Sequence, residues 1–398
     1  MSFKKFNYFI LFISAFLSGC TFFQDQDEEL LPAELVKYDE LLNIKKLWGK
    51  GIGKGSEQLH LSLKPSGNSE VIYTASHDGR VSSIEAVSGR VFWRKDLSTN
   101  ITAGPATNDT RLVIFGLDGD LICLRTGDGS EAWRTSIKGE SIATPIIAND
   151  NVIIHTIDGQ LRSFSIFDGT ERWSLSQDMP SLTLRGSSSP VILGNNVISA
   201  FDNGRVILVN IETGMVIWEA MLSPPTGRSA LERLIDIDGA IKTFGQDIYV
   251  AGYQSKLVSL AAESGQIIWS KDLSTQTGID IDDEHIVVTS EEGFVLGLSR
   301  DDGSEIWRNE ILLRREVTAP IIFDSSVVVG DLEGYVHFFD ISTGDLLSRR
   351  RAGKGAISGH PVVIEGYLYV QNETGELTVF SSPGHKDSPS RRFKFWGT

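Results

Sequence analysis

Cysteine is scarce in this sequence of 398 residues, which contains only Cys20 and Cys123. A disulfide framework and a cysteine-rich zinc site are therefore excluded. The seven histidines are scattered, and none has zinc-ligand spacing with another. Positive charge is also in deficit, because 37 Lys and Arg residues face 52 Asp and Glu residues and the formal net charge is −15. Such a chain is a poor partner for phosphate backbones, so we expect no nucleic-acid partner. From the cysteine and histidine positions we expect no metal site.

A hydrophobic run long enough to span a bilayer is also lacking. The apolar run from Phe6 to Leu17 follows two lysines, and it is shorter than the roughly 20 residues that a membrane-spanning helix needs. It is typical of a secretory signal peptide. The run ends in LSGC, which resembles the lipobox of bacterial lipoproteins. That resemblance implies acylation of Cys20, and Thr21 then favours the outer membrane; an ordinary signal peptide with a chance cysteine is the alternative.

The segment after Cys20 is acidic and has few turn or strand signals. Such a composition is typical of a tether between a membrane and a domain. We therefore predict a lipoprotein signal peptide over residues 1–19 and an acylated cysteine with an acidic tether over residues 20–43.

A repeat fills most of the remaining sequence. The stretch DGDLICLRTGDGSEAW, from Asp118 to Trp133, has a close copy about 40 residues before it and another about 40 residues after it. Its first glycine, or Ser255 in that slot, recurs at intervals of 40, 40, 45, 51, 38, 41 and 41 residues, which is typical of a repeat architecture. The tryptophans of this pattern are Trp48, Trp93, Trp133, Trp173, Trp218, Trp269 and Trp307, and Ser348 fills the slot of the seventh unit.

Each unit has the pattern of four short strands. Asp-Gly dipeptides between apolar runs are typical of tight hairpins. Along the third strand, apolar residues such as Leu121 and Leu124 have opposite parity and point to opposite faces. A sheet that is apolar on both faces must be covered on both sides. We therefore predict an all-β, eight-bladed β-propeller of four-stranded antiparallel blades; a two-sheet sandwich is the alternative, but it leaves the regular period unexplained.

The ends of the repeat predict how the ring closes. The last unit begins at Gly375 and lacks a fourth strand, whereas Trp48 has no third strand ahead of it. We predict that residues near Ile44–Gly49 supply the missing strand and remove an exposed edge, so that the propeller spans residues 44–382. Residues 383–398 form a basic, aromatic tail that we expect to be disordered, with contact to anionic lipid head groups as the alternative.

Two levels of resemblance follow from these motifs. The stretch NIETGMVIW, Asn210 to Trp218, resembles the tryptophan-docking repeat of quinoprotein dehydrogenases. The stretches PSLTLRGSSSP, Pro180 to Pro190, and ERLIDIDG, Glu232 to Gly239, together with the lipobox, resemble the BamB family. Its members are propeller lipoproteins of the β-barrel assembly machinery in Gram-negative outer membranes. The resemblance implies a non-catalytic, lipid-anchored scaffold on the periplasmic side of the outer membrane, which assists folding and insertion of outer-membrane proteins.

Two connections between units are longer than the others. From the tryptophan to the next Pro slot takes 12 residues after Trp93, but 17 after Trp173 and 23 after Trp218. These two successive connections flank one blade on the same face as the Asp-Gly turns, and loops on a rigid scaffold often carry function. Residues of these connections that suit protein docking are Leu182, Leu184, Arg185, Asp236 and Asp238.

Spacing alone leaves open whether these residues bind a partner, since the leucines could pack inward and the aspartates could cap a turn. The resemblance implies that they bind the POTRA domains of BamA. How the protein then assists is open between orienting the POTRA arm and offering a strand edge to unfolded outer-membrane proteins.

A quinoprotein dehydrogenase that uses the quinone PQQ is the alternative function, because the repeat is shared. By resemblance, such an enzyme has an adjacent cysteine pair, a calcium site and a catalytic aspartate. Adjacent cysteines are absent here, and the stretch DIDG at Asp236–Gly239 is not followed by a Glu at the twelfth position of a calcium loop. We therefore expect no catalytic residue, no cofactor and no metal, and we interpret Cys123 as a packed small side chain.

Overall fold

The computed structural model describes residues 31–55, 59, 61, 63–180, 188–222, 241–253, 255–357 and 359–383. Cys20, the signal peptide over 1–19 and the tail from residue 384 onward lie outside these residues. The chain forms two units, Met1–Pro32 and Ala33–Thr398, and all of the strands lie in the second. Within the described ranges, no helix has the length and apolar character needed to cross a membrane.

The strands form eight four-stranded antiparallel sheets, which we call blades 1 to 8. Strand β1 (Lys45–Gly51) comes first in the chain. Blades 1 to 4 follow, and their strands are β2 (Ser66–Gly67), β3 (Val71–Ala75), β4 (Arg80–Glu85) and β5 (Val91–Asp96); β6 (Ile101–Thr107), β7 (Arg111–Gly116), β8 (Asp120–Arg125) and β9 (Glu131–Ser136); β10 (Ile146–Ala148), β11 (Asn151–Thr156), β12 (Gln160–Ser165) and β13 (Glu171–Ser176); and β14 (Val191–Leu193), β15 (Asn196–Ala200), β16 (Arg205–Asn210) and β17 (Val216–Met221).

Blades 5 to 7 continue the same order, and blade 8 ends the chain. Their strands are β18 (Ile241–Phe244), β19 (Asp247–Val250), β20 (Lys256–Ala261) and β21 (Ile267–Asp272); β22 (Ile279–Ile281), β23 (His285–Thr289), β24 (Val295–Ser299) and β25 (Glu305–Asn309); β26 (Ile321–Phe323), β27 (Ser326–Gly330), β28 (Tyr335–Asp340) and β29 (Leu346–Arg351); and β30 (Val362–Ile364), β31 (Tyr367–Gln371) and β32 (Glu376–Ser381). The first strands of successive blades contact one another, so they lie innermost and the fourth strands form the rim. This arrangement confirms the predicted eight-bladed β-propeller.

The core lies between the blades, as the two apolar columns predicted. Leu121 packs in a cluster with Val152 and Phe164 of blade 3, whereas Leu124 packs in a cluster with Val81 of blade 1. Opposite faces of one strand are thus buried against opposite neighbours. Cys123 is fully buried in the first of these clusters, and burial raises the pKa of its thiol to about 12. This confirms its interpretation as a packed side chain.

The repeat tryptophans join each blade to the next. Nε1 of Trp93 donates a hydrogen bond of 2.7 Å to the carbonyl of Thr126, and the ring of Trp93 lies against Gly129. Equivalent bonds to a carbonyl of the next blade are made by Trp48, Trp133, Trp173, Trp218 and Trp307. Trp269 packs against Gly303 in the same way. The second glycine and the tryptophan of the repeat are therefore two halves of one joint between blades.

Strand β1 closes the ring, as predicted. It pairs antiparallel with β32 and becomes the outer strand of blade 8, whose order is β1-β32-β31-β30. Trp48 then docks on blade 1 through a hydrogen bond of 2.9 Å to the carbonyl of Ala86. The exception at Ser348 fits this closure. Because the outer strand of blade 8 comes from the other end of the chain, blade 8 has no turn between its third and fourth strands against which a tryptophan of blade 7 could pack.

Candidate partner-binding surface

The predicted partner-binding residues lie on the two long connections that flank blade 4. Leu182, Leu184 and Arg185 belong to the connection between β13 and β14, and Asp236 and Asp238 belong to the connection between β17 and β18. All five lie outside the described residues. The structure describes where each connection begins and ends, and those stems fix the position from which the loops start.

Both connections leave the propeller beside the turns between second and third strands. The backbone N–H of Gln177, just after β13, donates to the carbonyl of Gly159 at 2.9 Å. The backbone N–H of Leu222, just after β17, donates to the carbonyl of Gly204 at 2.9 Å. The short connection after β9 does the same through Ile137 and Gly119 at 2.7 Å. The prediction that the connections share a face with the Asp-Gly turns is therefore confirmed.

One turn of blade 4 holds the stems of both connections. Nδ2 of Asn203 donates a hydrogen bond of 3.0 Å to the carbonyl of Asp178 in the first connection. The next residue in the chain, Gly204, accepts the hydrogen bond from Leu222 at the start of the second. Two consecutive residues thus bring the starting points of the two loops together, although the loops are about 45 residues apart in the sequence.

The returning stem of the first connection is held by buried polar contacts. Nδ1 of His155 lies 3.1 Å from the carbonyl of Ser188, and because a carbonyl only accepts, Nδ1 carries the proton. The backbone N–H of Thr144 donates to Oγ of Ser189 at 3.0 Å. Burial lowers the pKa of His155 to about 4, so that this ring is neutral at pH 7. A rigid base of this kind limits the positions that the loop can reach.

A second feature, which the sequence did not predict, is the attachment of the N-terminal segment (Ala33–Ile44) to the rim of blade 7. The backbone N–H groups of Leu41 and Leu42 donate to the carbonyl of Leu347 at 3.0 and 3.2 Å. The backbone N–H of Arg349 donates to the hydroxyl of Tyr38 at 2.9 Å, and the Arg349 guanidinium lies over the Tyr38 ring. Two features of the sequence could have predicted this attachment, namely the run of three arginines at the end of β29 and the acidic composition of the tether.

A buried charge network supports this attachment from inside blade 7. Arg315 donates to the carboxylate of Asp331 at 2.9 Å through Nε and to the carbonyl of Ala33 at 2.8 Å through Nη1. Nε2 of His337 donates to the same carboxylate at 2.9 Å. Burial acts to raise the pKa of Asp331, but its contacts with His337 and Arg315 hold that pKa below its ordinary value. Burial lowers the pKa of His337 in spite of the nearby carboxylate.

In the parts of the chain that the structure describes, no three His, Cys, Asp or Glu side chains converge in a way that could hold a metal ion.

Sequence similarity identifies the family. The family model described as outer membrane protein assembly factor BamB matches residues 77–309 and 297–386. The outer membrane protein assembly factor BamB of Pseudomonas aeruginosa is 44% identical over 372 residues, which are 94% of this chain and 97% of that relative.

Solved structures agree on the fold. The crystal structure of BamB from Moraxella catarrhalis superposes with a TM-score of 0.79 at 25% identity, covering 85% of this chain and 100% of that chain. The quinohemoprotein alcohol dehydrogenase from Comamonas testosteroni superposes with a TM-score of 0.68 at 13% identity, covering 86% of this chain and 77% of that chain, which shows a shared fold alone. With its repeat, its eight blades and its near full-length match, this chain belongs to the BamB family of outer membrane protein assembly factors.

Proposed function

We propose that this chain is a scaffold subunit of an outer-membrane β-barrel assembly complex and that it binds the POTRA domains of BamA. The two loops that flank blade 4 form the binding surface. Leu182 and Leu184 act as apolar anchors beside Arg185 in the first loop, and Asp236 and Asp238 contribute acidic groups from the second. The observation that carries the proposal is the shared turn of blade 4, which holds the stems of both loops.

Lipid attachment belongs to the same proposal. Acyl chains on Cys20 hold the protein at the outer membrane, facing the periplasm, because several chains give durable anchoring. The segment after Cys20 leads to Ala33, whose backbone is held by Leu313 and Arg315. The scaffold works without catalysis, since curated relatives are named as assembly factors and the quinoprotein enzymes share only the fold.

Charge reversal in the two loops tests the binding surface. Purified POTRA domains of BamA are captured on immobilised chain lacking the signal peptide, with Arg185→Glu and Asp236→Lys as variants. Each change reverses a charge that the proposal assigns to the binding surface, so we expect at least a tenfold loss of capture for either variant. Both variants should keep the propeller, which circular dichroism checks.

Lys138→Glu is the matched control, because Lys138 is exposed on the short connection between blades 2 and 3. Capture should be unchanged by this substitution. Undiminished capture by both loop variants would show that the surface lies elsewhere. An equal loss with Lys138→Glu would assign the effect to overall charge and remove the support for these loops.

A further inference from the structure

Two adjacent blades carry basic side chains at the start of their innermost strands. The residue before the Pro slot is Lys64 in blade 1 and His360 in blade 8. In the other six blades this position holds a small residue, namely Gly104, Thr144, Ser189, Ala240, Gly278 or Ala319. Because the first strands surround the central axis, Lys64 and His360 belong to the inner ring of the propeller.

A second pair of charges lies on the first strands of blades 5 and 6. Nζ of Lys242 in β18 is 2.7 Å from Oδ1 of Asp280 in β22. Oδ2 of Asp280 accepts a hydrogen bond of 2.8 Å from the backbone N–H of Ile322 in blade 7. The Lys242 side chain is 32% exposed, and an ammonium group has three donors. Lys242 can therefore hold Asp280 and one further acceptor.

The two sets of charges act on one another across the ring. Blade 5 is opposite blade 1 in a closed ring of eight blades. Burial lowers the pKa of Lys64 to about 8, and the positive charge of Lys242 acts in the same direction. Burial also lowers the pKa of His360, with smaller contributions from Lys64 and Lys242. Since such interactions fade with distance, these three side chains share the space around the axis.

This space contains polar groups that the described part of the chain does not satisfy. Neither Lys64 nor His360 has a hydrogen-bond partner or an ion pair among the described residues. Oε1 of Gln371 is buried and also lacks a partner there. Gln371 passes close to the residue before His360, because a Cβ added to Gly359 would lie 3.6 Å from its carbonyl oxygen. Buried polar groups are nearly always hydrogen-bonded, so these groups together indicate a bound polar molecule.

We infer that the central axis binds a small oxyanion of the phosphate type between blades 1, 5 and 8. Lys64 and Lys242 supply the positive charge, since lysine binds phosphate as a point charge, and the neutral ring of His360 donates one hydrogen bond. The two ammonium groups face the single carboxylate of Asp280, so the cluster is positive in a chain whose formal net charge is −15. A charge of this sign inside a narrow ring of strands attracts anions.

Titration with inorganic phosphate tests the inference. Isothermal titration calorimetry follows its binding to the full mature chain at neutral pH and constant ionic strength. Lys64→Gln should bind phosphate about tenfold more weakly, because a charge without a counter-ion is lost. Asp280→Asn should bind phosphate about threefold more tightly, since it removes the competing negative charge. The asparagine oxygen can still accept the hydrogen bond from Ile322.

Lys256→Gln is the matched control, because Lys256 lies on the third strand of blade 5, is exposed, and pairs with Asp272 at 3.2 Å. This variant should bind phosphate like the wild type. Phosphatidylglycerol vesicles distinguish two sources of the same chemistry. Displacement of phosphate by the vesicles would identify a lipid head group, and an unchanged titration would identify a free anion.

The inference is independent of the surface proposed for BamA. Arg185→Glu should lose POTRA capture and keep phosphate binding, whereas Lys64→Gln should keep POTRA capture. The inference is overturned if the wild type does not bind phosphate, if Lys64→Gln binds it equally well, or if Lys256→Gln loses as much affinity. Weaker binding by Asp280→Asn would also overturn it, because a negative charge would then support the anion.

Discussion

At the scale of single residues, the joint between blades depends on a side chain that is absent. Gly129 has a φ of +69°, and a Cβ added there would lie 2.7 Å from Cε3 of Trp93. Gly127, two residues earlier, has open space around an added Cβ. The two glycines lie in one turn, so they separate the combined effect of a left-handed backbone and contact with the tryptophan from the general effect of replacing a glycine.

We expect Gly129→Ala to lower the free energy of unfolding by about 3 kcal/mol, from left-handed strain together with overpacking against the ring. Gly127→Ala should change it by less than about 1 kcal/mol. Denaturant unfolding followed by tryptophan fluorescence measures both. Equal effects of the two substitutions would show that contact with Trp93 does not fix the glycine.

Buried histidines make stability depend on pH. Burial lowers the pKa of His155 from 6.5 to about 4, so the unfolded chain takes up this proton at a higher pH than the folded chain does. The stabilisation that comes from keeping His155 neutral is fully present above pH 6.5 and is lost as the pH falls toward 4. By pH 4 the loss in the free energy of unfolding is about 3 kcal/mol. His337, whose pKa is also lowered by burial, acts in the same direction.

His155→Asn tests this dependence, because an amide can still donate to the carbonyl of Ser188. The variant should be less stable than the wild type at pH 7.5, where the neutral ring packs edge-on against Phe201. The difference should shrink by about 2.4 kcal/mol as the pH is lowered from 7 to 4.5. Urea unfolding at several pH values measures it, and parallel curves for the two proteins would contradict the assignment.

At the scale of elements, the sequence pattern predicted the four-stranded blades, but it predicted neither the bulge in each outer strand nor the position of the first strand of blade 1. Asp-Gly turns and alternating columns such as Leu121 and Leu124 follow from local geometry and burial, and both were correct. Each outer strand has a β-bulge before its tryptophan slot, as at Ile217 of β17, which is an extra residue opposite Leu208 and Val209 of β16. The bulge was not predicted, because it recurs in every blade and so causes no irregularity in the repeat. The first strand of blade 1, β2, was included in the predicted four-stranded blades but was not located in the sequence, because Ser66–Gly67 has no apolar alternation.

The candidate surface was predicted only in its position. Connection lengths after Trp173 and Trp218 located both loops, since a longer connection needs no knowledge of partners to be recognised. The contact of Asn203 with Asp178 could not be foreseen, because a single amide in a turn has no distinguishing pattern. The roles of Leu182, Arg185 and Asp236 came from family resemblance, and they stay predictions.

At the scale of the whole molecule, eight similar blades stabilise one another only if the ring is closed. Each blade buries both faces against its neighbours, so an open ring would expose two apolar faces. Seven junctions join blades that follow one another in the chain, but the junction between blades 8 and 1 depends on β1. There Leu47 and Trp48 complete a core cluster with Ile84, Tyr369 and Val379.

Removing β1 should therefore cost far more than removing the segment before it. A chain that begins at Ile52 loses the pairing with β32 and the docking of Trp48, whereas a chain that begins at Asn43 keeps both. Loss of a docked tryptophan alone costs about 3–5 kcal/mol, which approaches the total stability of many domains, about 5–15 kcal/mol. We expect the chain from Ile52 to melt at a much lower temperature and to aggregate through its exposed β32 edge, as measured by thermal unfolding and size-exclusion chromatography.

A synthetic peptide of residues 43–51 should restore the monomer, because it can occupy the vacant edge of blade 8. If both truncated chains melt at the same temperature, or if the peptide has no effect, β1 does not close the ring in solution.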